Sequence, residues 1–482
     1  MFKKIITFAL VLALCAGMIS AFALTSSAAE YDGGTGTPVD PYIISSEASL
    51  KALAEAVNGG ETYAGVYFEL GNDIILTSNW TPIGLFDDTD AEAKIDFQFC
   101  GNFNGKGHEI SGLNIVSEYV QSIGLFGNLG SYAVVKNVKV SGNIAATARF
   151  VGGIAGITMT ATIQNCVSDV DIDVKGYTSL PRVGGIVGCA RTMTFIEYCV
   201  NNGDIVVEPV ANAPEGVVVP TNLIAGGIAG ELNEMCNVKY CISEANVEDK
   251  NVATAYVGGI VGRATGAALA GTSGLVTNCV VKGNLTASEG VTTGCIGGVI
   301  SYLHSANYTI DNCGVLGTIT TPTAAEGMVM TYLGYLVGNS KNPATITNNK
   351  VSGDVLLGKN AGSNTPLECV TGVTELDSLT FAIEDAIKAW AKTDAETVPT
   401  MPVETTTEAP VDNTTEPTDT TDTPADTTTE SSVTTTKKPA TTTATPTDNT
   451  TEEKGCGGFG FAQAIVALVS VAGAAVVIKK KN

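Results

Sequence analysis

The sequence predicts an all-β fold, a right-handed parallel β-helix (β-solenoid) with short capping helices, a disordered Thr/Pro-rich stalk and a C-terminal transmembrane helix. Three observations predict the β-helix. A Gly-Gly-Ile-x-Gly segment recurs along the chain, with its first glycines at Gly152, Gly184, Gly226, Gly258 and Gly297. Each copy is followed by a second apolar segment containing a cysteine, as in Ile163-Gln164-Asn165-Cys166-Val167 and Val276-Thr277-Asn278-Cys279-Val280. The segments are short, β-branched and bounded by glycine turns such as Gly203-Asp204 and Gly283-Asn284, which is strand chemistry. So short and glycine-rich a unit cannot close its own core, and stacking successive copies buries it. A β-propeller would need four strands per blade and a steadier repeat than the 32, 42, 32 and 39 residues between those glycines.

The chain opens on Lys3-Lys4, an apolar run over residues 5–24 and Ser27-Ala28-Ala29. A basic start, an apolar stretch and small residues at a cleavage point make residues 1–29 a secretory signal peptide. An uncleaved membrane helix is the competing reading of the same run. A lipoprotein signal at Cys15 is disfavoured, because the bulky Leu14 precedes it.

Residues 30–395 form the β-helix ectodomain, with helical caps near 47–58 and 375–392. Residues 49–58 read as a short amphipathic helix that plugs one open end, and residues 376–390 are expected to cover the other, where exposed strand edges would invite pairing.

Residues 396–454 are dominated by Thr, Pro, Asp and Glu, as in Thr434-Thr435-Thr436-Lys437-Lys438-Pro439. Such a segment cannot bury enough apolar surface to offset its ordering entropy, so an extended spacer is expected. Residues 455–482 are the anchor or sorting signal. Residues 459–478 carry only Gln463 and Ser470 as polar interruptions, a run that spans about 30 Å as a helix. The Lys479-Lys480-Lys481 cluster follows at once and stays cytoplasmic, which makes this a single-pass span with the ectodomain outside. Just ahead of it, Cys456 in Gly455-Cys456-Gly457-Gly458 is the candidate anchoring or processing residue, although no Leu-Pro-x-Thr-Gly sorting motif is present.

The net charge of −23 would repel nucleic acid and anionic lipid surfaces alike. Of the twelve cysteines, Cys166, Cys199, Cys241, Cys279 and Cys313 fall at one place in successive repeats. Stacked strands about 4.8 Å apart hold them further apart than the roughly 3.8 Å between Cβ atoms that a disulfide favours, so a ladder of buried free thiols is expected. Cys236 with Cys241 and Cys189 with Cys199 are the candidate bridges. No metal site or cofactor is predicted, since only His108 and His304 exist and neither has a cysteine pair at ligand spacing.

The head of the domain carries Gly33-Gly34-Thr35-Gly36-Thr37-Pro38, Trp80-Thr81-Pro82-Ile83-Gly84 and Gly101-Asn102-Phe103-Asn104-Gly105-Lys106-Gly107-His108. Together with the repeats, over residues 31–355, this series resembles the GLUG-motif repeat proteins, a group of bacterial surface β-helices. The resemblance implies a surface location and gives His108 a structural, hydrogen-bonding role. Some proteins bearing these repeats are zinc peptidases, but the His-Glu-x-x-His motif is absent here.

No catalytic residue is predicted. The best acidic cluster is Asp169, Asp171 and Asp173, which alternate along one strand and share a face; a solvated outer face is their plainest role. The functional expectation is a non-enzymatic, adhesin-like or glycan-binding module on the cell surface, with a glycan or a surface protein as partner. The alternatives are a polysaccharide lyase or hydrolase of the β-helix type, needing convergent carboxylates, and a structural surface-layer spacer. Tyr302, Tyr308, Tyr332 and Tyr335 on one face would favour glycan binding.

Overall fold

The computed structural model of the protein describes residues 31–393, apart from 89–93, 177–179, 210–221, 251–253, 266–273, 288–292, 305–307, 321–331, 341–344, 353–355, 358–368 and 371–372. The signal peptide, stalk, Cys456 and C-terminal span lie outside the described residues. Among the described residues no helix is long and apolar enough to cross a membrane.

Each repeat makes one coil of a solenoid. A coil begins with a short strand such as Thr162–Gln164 and turns at Asn165. It then runs through Val167–Gly176 and Arg182–Gly184, bends at the glycine pair, and returns along Val187–Arg191 to the next first-sheet strand, Phe195–Glu197. Equivalent strands of neighbouring coils pair in parallel. The first sheet has ten strands, from Tyr42–Ile44 to Thr345–Thr347, and the sheet after the bend has seven, from Phe126–Leu129 to Val337–Ser340. Between them a third set of parallel ladders springs from the long strands Glu109–Ile123 and Lys139–Gly152, which later coils break into shorter pieces. This coil-on-coil pairing excludes propeller blades, whose strands pair antiparallel. Leu85–Asp87 with Ile95–Phe97 is an antiparallel hairpin set on the outside.

Register puts like on like. In the first sheet Val135, Ile163, Ile196, Val238, Val276 and Ile310 are successive partners, and all are fully buried. Past the bend, Ile154, Ile186, Ile228, Ile260 and Val299 stack similarly, with Ile186 N–H donating to Ile228 O at 3.0 Å. Burying one such side chain stabilises by about 1.5–3 kcal/mol relative to water, so a column of them supplies what one coil cannot.

The turn after each first-sheet strand places one residue in the left-handed region. It is Asn137, Asn165, Asn278 or Asn312 in most coils and Tyr198 or Tyr240 in two. Asparagine tolerates that conformation and its amide adds a coil-to-coil bond, as from Asn165 Nδ2 to Asn137 Oδ1 (2.8 Å) and Asn312 Nδ2 to Asn278 Oδ1 (2.7 Å). The two tyrosines replace that ladder with a ring stack, centroids 5.0 Å apart.

Helix α1, Glu47–Asn58, starts with a Ser46/Ser49 capping box and turns Leu50, Leu53, Ala54 and Val57 into the core. Helix α2, Val373–Thr393, does not take the expected place across the far end. It lies along the flank, where Leu379 and Ile383 pack on Ile242 and Val280 with Val200 and Leu316 alongside, and Lys282 bonds Glu384 at 3.1 Å. These apolar side chains point away from the coil interior, and α2 is what removes them from water.

Candidate functional site

The glycine bend folds two strands of each coil back to back, so that their outward side chains meet in a corner running along the solenoid. Only glycine permits this approach: a Cβ on Gly184 would sit 2.2 Å from Val187 O, and one on Gly185 2.4 Å from Gly227 O. On one wall, Phe150, Arg182, Ile224, Tyr256 and Cys295 are successive partners. On the other, Ile157, Cys189, Glu231, Arg263 and Tyr302 are. At the strand spacing of about 4.8 Å, five coils give a strip of about 19 Å.

All four arginines of the chain, Arg149, Arg182, Arg191 and Arg263, gather here. Arg182 Nε donates to Glu231 Oε2, Arg263 reaches the same oxygen at 3.1 Å, and Thr265 Oγ1 donates to Glu231 Oε1 at 2.6 Å. Burial works to raise the Glu231 pKa, but the two guanidiniums and these hydrogen bonds outweigh it and hold the carboxyl well below the usual range. One coil away, Arg149, Arg182 and Arg191 lie 4.8, 5.3 and 5.5 Å from the Phe150 ring centroid, and Arg191 also covers Phe86 at 5.5 Å. Arg149 pairs with Asp88 at 2.6 Å. Further along, Tyr256 and Tyr302 stack at 5.5 Å and His304 meets the edge of Tyr302. Burial pushes the Tyr256 hydroxyl up to about 12. The corner is thus arginine-rich at one end and aromatic at the other, and it is tightly packed: Phe150, Arg182, Ile224, Cys189, Glu231 and Tyr302 are buried, which leaves Tyr256, Arg263 and the exposed His304 at its rim.

The residues singled out from sequence fall elsewhere. Cys166, Cys199, Cys241, Cys279 and Cys313 are fully buried free thiols stacked inside the coils. Burial drives the thiols of Cys166, Cys241 and Cys313 well above their ordinary range. Both candidate bridges are open: Cys199 and Cys241 belong to the inner ladder, Cys189 faces the outer corner, and Cys236 Sγ bonds Asn233 O at 3.0 Å. Asp169, Asp171 and Asp173 share a face, but Asp169 pairs with Lys139 at 2.8 Å and Asp171 accepts from Asp204 N–H at 3.0 Å. Among the described residues no group of three or more His, Cys, Asp or Glu could hold a metal ion. His108 Nδ1 lies 3.0 Å from Asp73 Oδ1, which also accepts from Glu109 N–H, a link between coils.

The tyrosines do not share one face: Tyr302 is on the corner wall, whereas Tyr308 is buried in the core and Tyr335 packs against it; the backbone of Tyr332 pairs in register with Cys295. The corner itself was missed in the sequence. Its signal was positional: two residues before the first glycine of the repeat, and five after it.

No family model matches the chain. Over 155 residues it is 29% identical to "Halomucin" of Haloquadratum walsbyi, covering 32% of this chain and 2% of that protein. Over 136 residues it is 32% identical to the "Putative Gly-rich membrane protein" of Evansella cellulosilytica, covering 26% of this chain and 14% of the relative. The chain therefore spans only a small part of the curated relatives it matches. Among solved structures it is similar to a "putative immunoglobulin A1 protease from Bacteroides ovatus" (TM-score 0.45, 20% identity, 64% of this chain and 87% of that one). It is also similar to an "IgA1 Protease" (TM-score 0.44, 16% identity, 76% of this chain and 26% of that one). At TM-scores below 0.5 neither likeness speaks to activity or substrate.

Proposed function

We propose that the chain is a surface-displayed, non-enzymatic β-solenoid, right-handed and of the GLUG-motif type, that binds a glycan along its outer corner. A signal peptide would export it, and a Thr/Pro-rich stalk and apolar span would hold it at the cell surface. The likeness to Halomucin and to the Gly-rich membrane protein favours a surface or membrane location. The observation that carries the binding reading is the Tyr256/Tyr302 stack next to Arg263: Tyr302 is buried, Tyr256 and Arg263 are partly exposed, and His304 at the edge of Tyr302 is exposed. Aromatic rings supply flat apolar faces with a polar tip, the surface that a sugar ring can cover. A hydrolase would need two carboxylates free to exchange protons, whereas in the corner Glu231 is committed to two guanidiniums and Asp88 to Arg149.

The test is a glycan array probed with the purified full-length chain, paired with a reducing-end assay on whatever is retained. Retention without new reducing ends, weakened by Tyr302→Ser, is expected. Failure to retain any glycan, or release of reducing ends, would remove the reading.

A further inference from the structure

We infer that α2 is a strap released by tension: a pull on the chain beyond Thr393 peels the helix from the flank while the coils stay folded. The inference goes beyond the glycan reading and concerns the load that a tethered domain carries.

The helix retraces the coils that precede it. Its N-terminal end adjoins Gly314–Val315 and Lys350–Ser352, just after Cys369–Val370 has paired with the latter. Further along, Glu384 meets Lys282 at 3.1 Å, and Trp390 stacks on Tyr198, which belongs to a coil two earlier than that of Lys282. From Glu384 to Trp390 the helix rises about 9 Å, and two coils at the strand spacing span about 10 Å. The match means that α2 lies parallel to the solenoid axis and runs against the direction in which coils are added. The chain therefore leaves α2 near Tyr198, four coils back from Thr345–Thr347.

That path decides how a load is shared. A pull at Thr393 falls first on the Trp390/Tyr198 stack, then on Ile387, then on Ile383 and Glu384, and then on Leu379. These contacts are met one after another. Neighbouring coils are joined differently, each through several backbone ladders at once, as where Thr254–Gly258, Val261–Thr265 and Gly274–Thr277 pair with the strands of the next coil. Contacts loaded singly yield at lower force than ladders loaded together, and the pull does not reach Cys369–Val370 along the chain until the helix has come away. Release also reverses itself. It uncovers Val200, Ile242, Val280 and Leu316, and returning them with Leu379 and Ile383 to a dry contact draws the helix back when the tension falls.

The purified full-length chain, held by a tag at each end, would be stretched at constant force between optical traps. No ligand or membrane is present, so the outcome leaves the glycan and anchoring readings to their own tests. The first event should free about 70 Å of contour, the extended length of the 21 residues of α2, and should reverse when the force is lowered. The coils should yield later, in longer steps and at higher force. Trp390→Ala should raise the rate of the first event by about two- to tenfold, the contribution of the stack expressed as a rate. Ile383→Ala should raise it further, because it removes buried side-chain contact. Both variants should leave the later events unchanged, which shows that their coils are folded, and Ile163→Val inside the coils should leave the first event unchanged. A first event that frees a whole coil, about 110 Å or more, or one whose rate is indifferent to both helix variants, would overturn the strap.

Discussion

Trp390, near the end of α2, stacks on Tyr198 of the solenoid, ring centroids 5.6 Å apart and planes 22° apart, and Tyr198 in turn stacks on Tyr240 at 5.0 Å and 4°. These two tyrosines stand where other coils have an asparagine, so the asparagine ladder gives way where the helix docks. Trp390→Ala should remove a contact of about 0.5–1.5 kcal/mol beyond its area and leave α2 held by Leu379 and Ile383. Faster hydrogen exchange confined to α2, with the coils unchanged, is expected. Unchanged exchange in α2 would mean that the stack does not hold it.

The five stacked thiols should be invisible to reagents in the native protein. Labelling of Cys166, Cys199, Cys241, Cys279 and Cys313 should be slow until denaturant is added, because their sulfurs are fully buried and bond the backbone, as Cys199 Sγ does at Glu197 O (3.3 Å). A mass spectrum of native protein showing these five oxidised would refute the ladder.

Two buried carboxyls give opposite pH dependences. Asp249 lies inside the coils between Val207 and Ala287, with neither oxygen hydrogen-bonded among the described residues, and burial raises its pKa well above 3.8. A raised pKa means that the folded state holds the proton more tightly. That contribution is complete below the unfolded pKa and is lost as pH rises through the folded one. Asp249→Val should therefore raise the melting temperature at pH 8 and change it little at pH 4.

Glu231 has a depressed pKa, so its contribution is present above the ordinary glutamate pKa of 4.5 and is lost as pH falls towards the lower folded-state value. Glu231→Gln removes the buried carboxylate that Arg182 and Arg263 share and should cost about 3–5 kcal/mol near neutral pH. A melting temperature for Glu231→Gln equal to wild type at pH 7 would show that the triad does not brace the corner.

Damage to one coil should stay local. Ile186→Asp puts a charge between Ile154 and Ile228, and unpaired buried charge is costly enough to shift the pKa or open the coil. Hydrogen exchange should rise over residues 151–230 while coils after Val257 stay protected, since each coil contacts only its neighbours. Uniform loss of protection across the domain would contradict a stack of semi-independent coils.

The coils were legible because their residues repeat in phase. A cysteine after a left-handed asparagine and an isoleucine after a glycine pair each recur at fixed offsets, and parallel stacking converts an offset into a column. The place of α2 was not legible: amphipathicity says that Leu379 and Ile383 are buried, but not against which surface. Val200, Ile242 and Val280 directly follow the buried cysteines Cys199, Cys241 and Cys279, and only the backbone path shows that they pack on α2 instead of in the coil interior. The corner was hidden for a similar reason. Arg149, Arg182, Arg191 and Arg263 are far apart in sequence and none belongs to a motif; the glycine bend brings their strands together.

Hydrogen exchange of the full-length chain with and without a glycan that it retains on the array tests the binding corner most directly. Added protection should fall on Val187–Arg191, Ala229–Asn233 and Val261–Thr265, the strands that carry Arg191, Glu231 and Arg263. Protection absent from these strands and concentrated instead on the face bearing Asp169 and Asp171 would contradict the account.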